Sequence, residues 1–172
     1  MIISVLKERW FYYAFWGKLQ EMRDIHQELT SRGFPQEVKN WKVKGWESTA
    51  LFRAATNGHL DVCQWLVRED LVDVNAKDVG GLNALHIAAM ESRTEIVDLL
   101  LEETSIDVNE QNDSGSTALH FAARYNGIEV AKLLLKHNAV LLKDKDEETA
   151  LDEARTREND QIIELLKTHY NI

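Results

Sequence analysis

Disulfides and membrane-spanning runs are the first things this sequence lacks. Cys63 is the only cysteine among 172 residues, which excludes an intramolecular disulfide framework. The apolar stretches at residues 1–6 and 10–16 are each too short to cross a bilayer, and no small-residue cleavage site follows them. We therefore expect neither a signal peptide nor a transmembrane helix. A lone thiol suits a reducing compartment, so we expect an intracellular protein, cytoplasmic or nuclear.

Common catalytic, phosphate-binding and metal-binding motifs are also missing. The sequence has no Gly-rich phosphate loop and no Gly-x-Ser-x-Gly nucleophile turn. The six histidines do not combine with Cys63 or with acidic residues at the spacing of metal ligands. Cys63 falls at a helical core position, where a small buried side chain is expected. We expect a protein that is not an enzyme, with no cofactor and no bound metal.

Charge is the next constraint on function. The formal net charge is -9, and such an acidic protein is repelled by phosphate backbones and anionic lipids. We therefore expect no nucleic acid and no membrane as partners. The charge is uneven, because residues 1–44 carry 8 Lys and Arg against 5 Asp and Glu, whereas the remainder carries 12 against 24. With 44% hydrophobic residues, the chain can fold around a core.

An internal repeat dominates the rest of the sequence. Related stretches begin at Thr49, Asn83, Thr117 and Thr149, so their starts are 34, 34 and 32 residues apart. Each stretch is followed by apolar residues at helical spacings of three and four, and turn-forming clusters separate the units. The pattern predicts helix pairs near residues 49–57 and 60–68, 83–91 and 94–102, 117–125 and 128–136, and 149–157 and 160–168.

Thr117-Ala-Leu-His120 resembles the T-P-L-H-x-A motif of ankyrin repeats, with Ala118 in place of the proline. The Asp-Val-Asn elements at residues 73–75 and 107–109 match the segment that leads into the ankyrin hairpin. The resemblance implies an all-α ankyrin-repeat solenoid of stacked helix-turn-helix units with short hairpin tips. Its four repeats would cover about residues 45–77, 78–111, 112–143 and 144–172.

The resemblance also implies roles for single residues in each unit. The Thr and His of the motif would form a hydrogen-bonding pair at the start of the first helix. A glycine between the two helices would adopt a left-handed backbone, which Gly58 and Asn126 suit. Ser92 and Glu158 depart from that preference, so we expect strained or reshaped turns there.

The two ends of the chain resemble caps. In the fourth copy Asp152 replaces the histidine, Glu153 replaces Ile or Phe, and Lys167 replaces the third leucine, which is typical of a C-terminal capping repeat. We interpret residues 1–44 as a degenerate N-terminal capping repeat with an elongated second helix that ends near residues 32–33. In the alternative, these residues form a helix unrelated to the repeats that packs across their first face.

Ankyrin proteins contact their partners with hairpin tips and first helices, so the resemblance implies a partner-binding set here. We expect Arg124 to make a directed polar contact beside an apolar centre, unless the tips bury their own apolar residues. The predicted set is Trp46, Thr56, Asn57, Lys77, Val79, Leu82, Met90, Glu91, Asp113, Arg124, Tyr125 and Arg157.

The function predicted from the sequence is therefore a non-catalytic protein–protein interaction module. It would act as an adaptor or inhibitor, monomeric when free, that binds a partner through a concave groove. One alternative is a structural subunit of an obligate complex, assembled through the aromatic N-terminal segment. Another is a bacterial effector that acts on host proteins.

Overall fold

The protein is a stack of paired helices, seen in a computed structural model that describes residues 2–34 and 36–172. A short 3-10 helix, Glu37–Asn40, follows the first pair, and the described residues include no β-strand. The ten α-helices within these described ranges are α1 Ile2–Trp16, α2 Leu19–Ser31, α3 Ala50–Asn57, α4 Leu60–Arg68, α5 Ala84–Met90, α6 Thr94–Glu103, α7 Ala118–Arg124, α8 Ile128–Lys136, α9 Ala150–Thr156 and α10 Asp160–Tyr170. The predicted all-α repeat fold is confirmed, and the predicted helix bounds hold to within two residues.

Successive pairs stack into two layers. The first helices of the pairs, α1, α3, α5, α7 and α9, pack on one another, and α4, α6, α8 and α10 form the second layer. The first layer is thin because its paired alanines, such as Ala54 and Ala55, are fully buried and let the helices approach closely. Larger buried residues such as Leu66 and Leu100 fill the second layer.

One turn geometry recurs in every helix pair. A residue with φ between 53° and 77° is followed by a backbone N–H that donates to a carbonyl oxygen five residues earlier, at 2.8–3.0 Å. The left-handed residues are Gly17, Gly58, Ser92, Asn126 and Glu158. The turns at Ser92 and Glu158 are therefore not reshaped. Their cost is the left-handed backbone itself, about 1–2 kcal/mol for a residue with a Cβ.

The Thr–His pair of the motif links neighbouring repeats. The backbone N–H of Thr117 donates to Nδ1 of His120 at 3.1 Å. Because Nδ1 accepts, Nε2 carries the proton, and it lies 3.2 Å from the carbonyl oxygen of Glu148 in the next repeat. In the last repeat Asp152 replaces the histidine, and its Oδ2 accepts from the Thr149 hydroxyl at 2.6 Å. The carboxylate thus caps its own helix, and its hydrogen bonds in the part of the chain that the structure describes all lie within its own repeat.

Helices α1 and α2 form a fifth pair that stacks in register with the others. The turn at Gly17 approaches the next repeat so closely that a Cβ there would lie 2.5 Å from Nδ1 of His59. Both helices are elongated, and α1 (15 residues) is longer than α2 (13 residues), although only the second was expected to be long. Trp10, fully buried in α1, packs against Trp41 and Trp65, with ring centroids 6.0 and 5.8 Å apart.

Among residues 2–34 and 36–172, no helix has both the length and the apolar character needed to span a membrane.

Candidate functional site

The hairpin tips that precede the first helices form one continuous edge. The N–H of Val79 donates to the carbonyl oxygen of Trp46 at 3.2 Å, and the N–H of Asp113 donates to that of Gly80 at 3.1 Å. Lys145 continues the series in the last repeat through a bond to the Ser114 carbonyl oxygen at 2.9 Å. These bonds fix the tips relative to one another, so side chains on them keep a constant spacing.

The apolar residues of the predicted set divide into two groups. Trp46, Val79 and Tyr125 are 64%, 58% and 51% exposed, so the tips and the end of α7 present them to solvent. Leu82 and Met90 are half-buried and pack against the core. The expectation that tips could bury their own apolar residues therefore applies to Leu82 but not to Trp46.

Most polar residues of the predicted set already have partners within the chain. Lys77 forms an ion pair with Glu110 of the next hairpin. The Thr56 hydroxyl and the Asn57 amide donate to backbone oxygens one turn earlier, at 2.9 and 3.0 Å. Glu91 and Asp113 are exposed. A partner protein would therefore meet a polar rim whose hydrogen bonds are largely satisfied.

A charge network occupies the C-terminal end of the first-helix layer. Glu153 of α9 is 5% exposed and accepts two hydrogen bonds from Arg124, at 2.9 and 3.2 Å. Arg157 adds a third at 3.0 Å. The hydrogen bond from Arg124 is the main cause that holds the pKa of Glu153 below its ordinary value. Arg124 was expected to contact the partner, and the structure places its guanidinium in this internal ion pair.

Two adjoining cavities occupy the N-terminal end instead. The first, of about 370 Å³, lies between the Trp46 tip, α3 and the end of α1, and its lining is Phe15, Trp46, Ser48, Phe52, Arg53, Thr56 and Asp78. The second, of about 430 Å³, is lined by Glu8, Phe11, Tyr12, Phe15, Val43 and Arg53. Because Phe15 and Arg53 line both cavities, the two form one groove divided by those side chains.

The sequence interpretation missed the residues at the centre of this groove. Arg53 stands where the second and third repeats carry the buried Ile87 and Phe121. Phe52 stands where those repeats carry the histidine of the motif. Phe15 is half-buried and lines both cavities. An alignment of the repeats could have identified Arg53, because it is the only charged residue at that position before the C-terminal cap.

The titratable and nucleophilic side chains of the core are enclosed. Cys63 is fully buried, and burial raises the pKa of its thiol to about 12. Burial also lowers the pKa of His86 and of His120 below the ordinary histidine value. In the part of the chain that the structure describes, no three His, Cys, Asp or Glu residues are grouped so that they could hold a metal ion.

Comparison with known proteins agrees with the repeat geometry. A family model described as ankyrin repeats (3 copies) matches residues 19–112 and 104–172, which together span most of the chain. The first match begins at the start of α2, so it includes the second helix of the N-terminal pair. No curated protein matches the chain.

Proposed function

This chain belongs to the ankyrin-repeat family, whose repeats generally mediate protein–protein interaction, and we propose that it binds a partner protein through its concave face. That face consists of the hairpin tips and the first helices. The family is typically non-catalytic, and the proposed role is that of an adaptor or inhibitor, monomeric when free. A reducing intracellular compartment suits the free, buried thiol of Cys63.

The observation that carries the proposal is the exposure of Trp46, Val79 and Tyr125 on a rigid framework. Large apolar side chains with more than half of their area in water gain free energy when a partner covers them. Tyr and Trp are also the residue types that dominate the energetics of protein interfaces. The hydrogen bonds between the tips hold Trp46 and Val79 next to each other, so the partner meets a preorganised surface.

Capture from a cell lysate, followed by mass spectrometry, tests the proposal. The immobilised chain is compared with a Trp46→Ala/Tyr125→Ala double variant and with Val140→Ala. Val140 is the matched control, because it is exposed and apolar but lies in the segment that follows α8. We expect a protein that is captured by the wild-type chain and by Val140→Ala and is lost with the double variant. Equal capture by all three chains would refute binding through the concave face.

An exposed apolar face on α1 supports a second candidate function, that of a subunit assembled through the N-terminal helix. Val5, Tyr12 and Trp16 are separated by seven and four residues, so they lie on one side of the helix, and each is more than half exposed. Exposed apolar patches of this kind mark interaction sites. If the face mediates self-assembly, the molecular mass in solution rises with concentration and falls to that of a monomer in Trp16→Ala. A mass that is monomeric at all concentrations opposes self-assembly.

A further inference from the structure

We propose that the groove around Arg53 binds an acidic side chain, an Asp or Glu within a partner polypeptide whose neighbouring apolar residues occupy the two cavities. This inference rests on the proposed function, because it assumes that the partner of the concave face is a protein. It adds the chemistry of the contact and locates it at the N-terminal end of the face, where the sequence predicted only Trp46, Thr56 and Asn57.

The first argument is the state of the Arg53 guanidinium. Its Nε atom is buried and has no hydrogen-bond partner among the residues that the structure describes. A buried N–H without an acceptor is costly, and it costs more when the group is charged. Arginine presents its donors in a planar fork that matches the two oxygens of a carboxylate. A carboxylate supplied from outside would therefore satisfy this side chain.

Ser48 supplies an independent second observation. Its side chain is 4% exposed and lines the same cavity, yet its Oγ has no hydrogen-bond partner in the described part of the chain. At the corresponding position of the third repeat, Oγ of Ser116 lies 3.2 Å from Oγ of Ser114. The Ser48 hydroxyl is thus a second donor without a partner among the described residues that line this cavity.

The fourth repeat also has a charged residue at the position that Arg53 occupies in the first. There Glu153 is buried, and it is neutralised by Arg124 from the neighbouring repeat and by Arg157 from its own. Arg53 has no carboxylate within ion-pair distance among the described residues. The charged residues at this position of the first and fourth repeats therefore differ. Glu153 has two counter-ions, whereas Arg53 has none among the described residues.

The acidic residues near the groove do not fill that role. Asp78 lines the first cavity, and its Oδ1 already accepts from the N–H groups of Gly80 and Leu82 at 2.8 and 2.9 Å. Glu8 lines the second cavity, and no ion pair joins it to Arg53. The hairpin beside them carries Lys42 and Lys44 against Glu47, and the whole segment 1–44 has an excess of cations. Together with Arg53, these charges cancel, so an acidic partner segment meets a surface without the net negative charge of residues 45–172.

The shape of the groove favours an internal acidic residue over a C-terminal carboxylate. Cavities of about 370 and 430 Å³ lie on the two sides of Arg53, so a bound chain can continue in both directions from the charged contact. Aromatic side chains line each of them, with Trp46 and Phe52 in one and Phe11 and Tyr12 in the other. We therefore expect apolar residues on both sides of the acidic residue.

Selection from a phage-displayed library of random peptides on the immobilised full-length chain tests the inference. We expect the enriched peptides to share an Asp or Glu flanked by aromatic or aliphatic residues. The most enriched peptide is then synthesised with an amidated C-terminus, together with a version in which its acidic residue becomes the amide. We expect this exchange to weaken binding about thirtyfold, the loss typical of a central contact. Because it is made on the peptide, the result does not depend on how a protein variant folds.

Protein variants then locate the contact. Arg53→Gln should weaken binding of the acidic peptide about thirtyfold and abolish its preference over the amide version. Arg53→Lys, which keeps the charge without the fork, should retain part of the preference. Ser48→Ala removes one donor and should cost about two- to tenfold. Arg23→Gln removes the same charge from the outer helix α2 and should bind as the wild type does.

Three outcomes overturn the inference: no enrichment, enriched peptides without an acidic residue, and acidic peptides that bind Arg53→Gln and wild type equally. The lysate capture separates these failures from failure of the proposed function. Suppose that Trp46→Ala/Tyr125→Ala abolishes capture, but acidic peptides bind wild type and Arg53→Gln equally. Then the concave face binds the partner, and only this inference is wrong. If Trp46→Ala/Tyr125→Ala captures the same proteins as the wild type, the proposed function fails as well.

Discussion

Arg124 and Glu153 form a two-point ion pair that joins the third repeat to the fourth, with N–O distances of 2.9 and 3.2 Å. The carboxylate is almost fully buried, whereas the guanidinium is one-third exposed. At the equivalent position of the first repeat, Arg53 has no such counter-ion in the described part of the chain. At the C-terminal end of the concave face the charged residue is therefore paired within the protein. At the N-terminal end, Arg53 has no counter-ion among the described residues.

Loss of the Glu153 charge should destabilise the stack. Glu153→Gln leaves Arg124 and Arg157 close together without the carboxylate that both contact. Because both guanidinium groups are partly exposed, we expect a modest loss of about 1–2 kcal/mol in the free energy of unfolding, measured by urea denaturation. Glu164→Gln on the exposed face of α10 is the control and should change little. Equal stability of both variants would show that the ion pair contributes nothing.

Acidification should destabilise the protein through its two motif histidines. Burial lowers the pKa of His86 and His120 in the folded state, so the unfolded chain binds protons first as the pH falls. Their contribution to stability is therefore complete above about pH 6.5, the unfolded value, and is lost as the pH falls towards the lowered folded value. We expect Tm to fall between pH 7.5 and pH 5.5.

A double variant, His86→Asn/His120→Asn, isolates this effect. It should be less stable than the wild type at pH 7.5, because the bonds from the two imidazoles to the carbonyl oxygens of Glu110 and Glu148 are lost, but its Tm should depend less on pH over the same range. His169→Asn, at an exposed position, should keep the wild-type pH dependence. An unchanged pH dependence in the double variant would mean that other groups titrate in this range.

Tyr125 and Met90 should differ in what their truncation costs. Tyr125 is half exposed, so Tyr125→Ala should weaken partner capture by about 2 kcal/mol, roughly thirtyfold, with Tm and helical signal unchanged. Met90 packs against the core, so Met90→Ala should also lower the free energy of unfolding, by about 1–2 kcal/mol. Capture assays and thermal melts on the same samples separate the two effects. A large drop in Tm for Tyr125→Ala would assign it a structural role.

Two tryptophans of α1 should show that this helix is part of the repeat stack. Trp10 is fully buried between Trp41 and Trp65, so Trp10→Ala should cost about 3–5 kcal/mol. Trp16 is exposed, and Trp16→Ala should cost far less. Denaturant unfolding of both variants measures the difference. If both are as stable as the wild type, residues 1–44 form an independent module and do not cap the first repeat.

Much of the fold could be predicted because its determinants are local and repeated. The spacing of three and four between apolar residues predicts each helix. The period of 32–34 residues indicates that a pair of helices recurs as one unit. The turn between the helices needs only a left-handed residue, which is why Ser92 and Glu158 adopt the same geometry as Gly58. The exposed tips at Trp46 and Val79 were also among the predicted positions, because the family leaves them free of structural roles.

The state of the charged residues could not be predicted in this way. Whether Arg53 or Arg124 has a counter-ion depends on side chains from the next repeat, about 30 residues away along the chain, and the sequence states neither their distance nor their direction. Likewise, Phe15 faces the groove because Gly17 positions α1 against His59, a contact across 42 residues. The repeat pattern by itself thus determined the helices and their order. Packing between repeats decided which part of the concave face is free to bind, because burial and pairing are properties of neighbours in space.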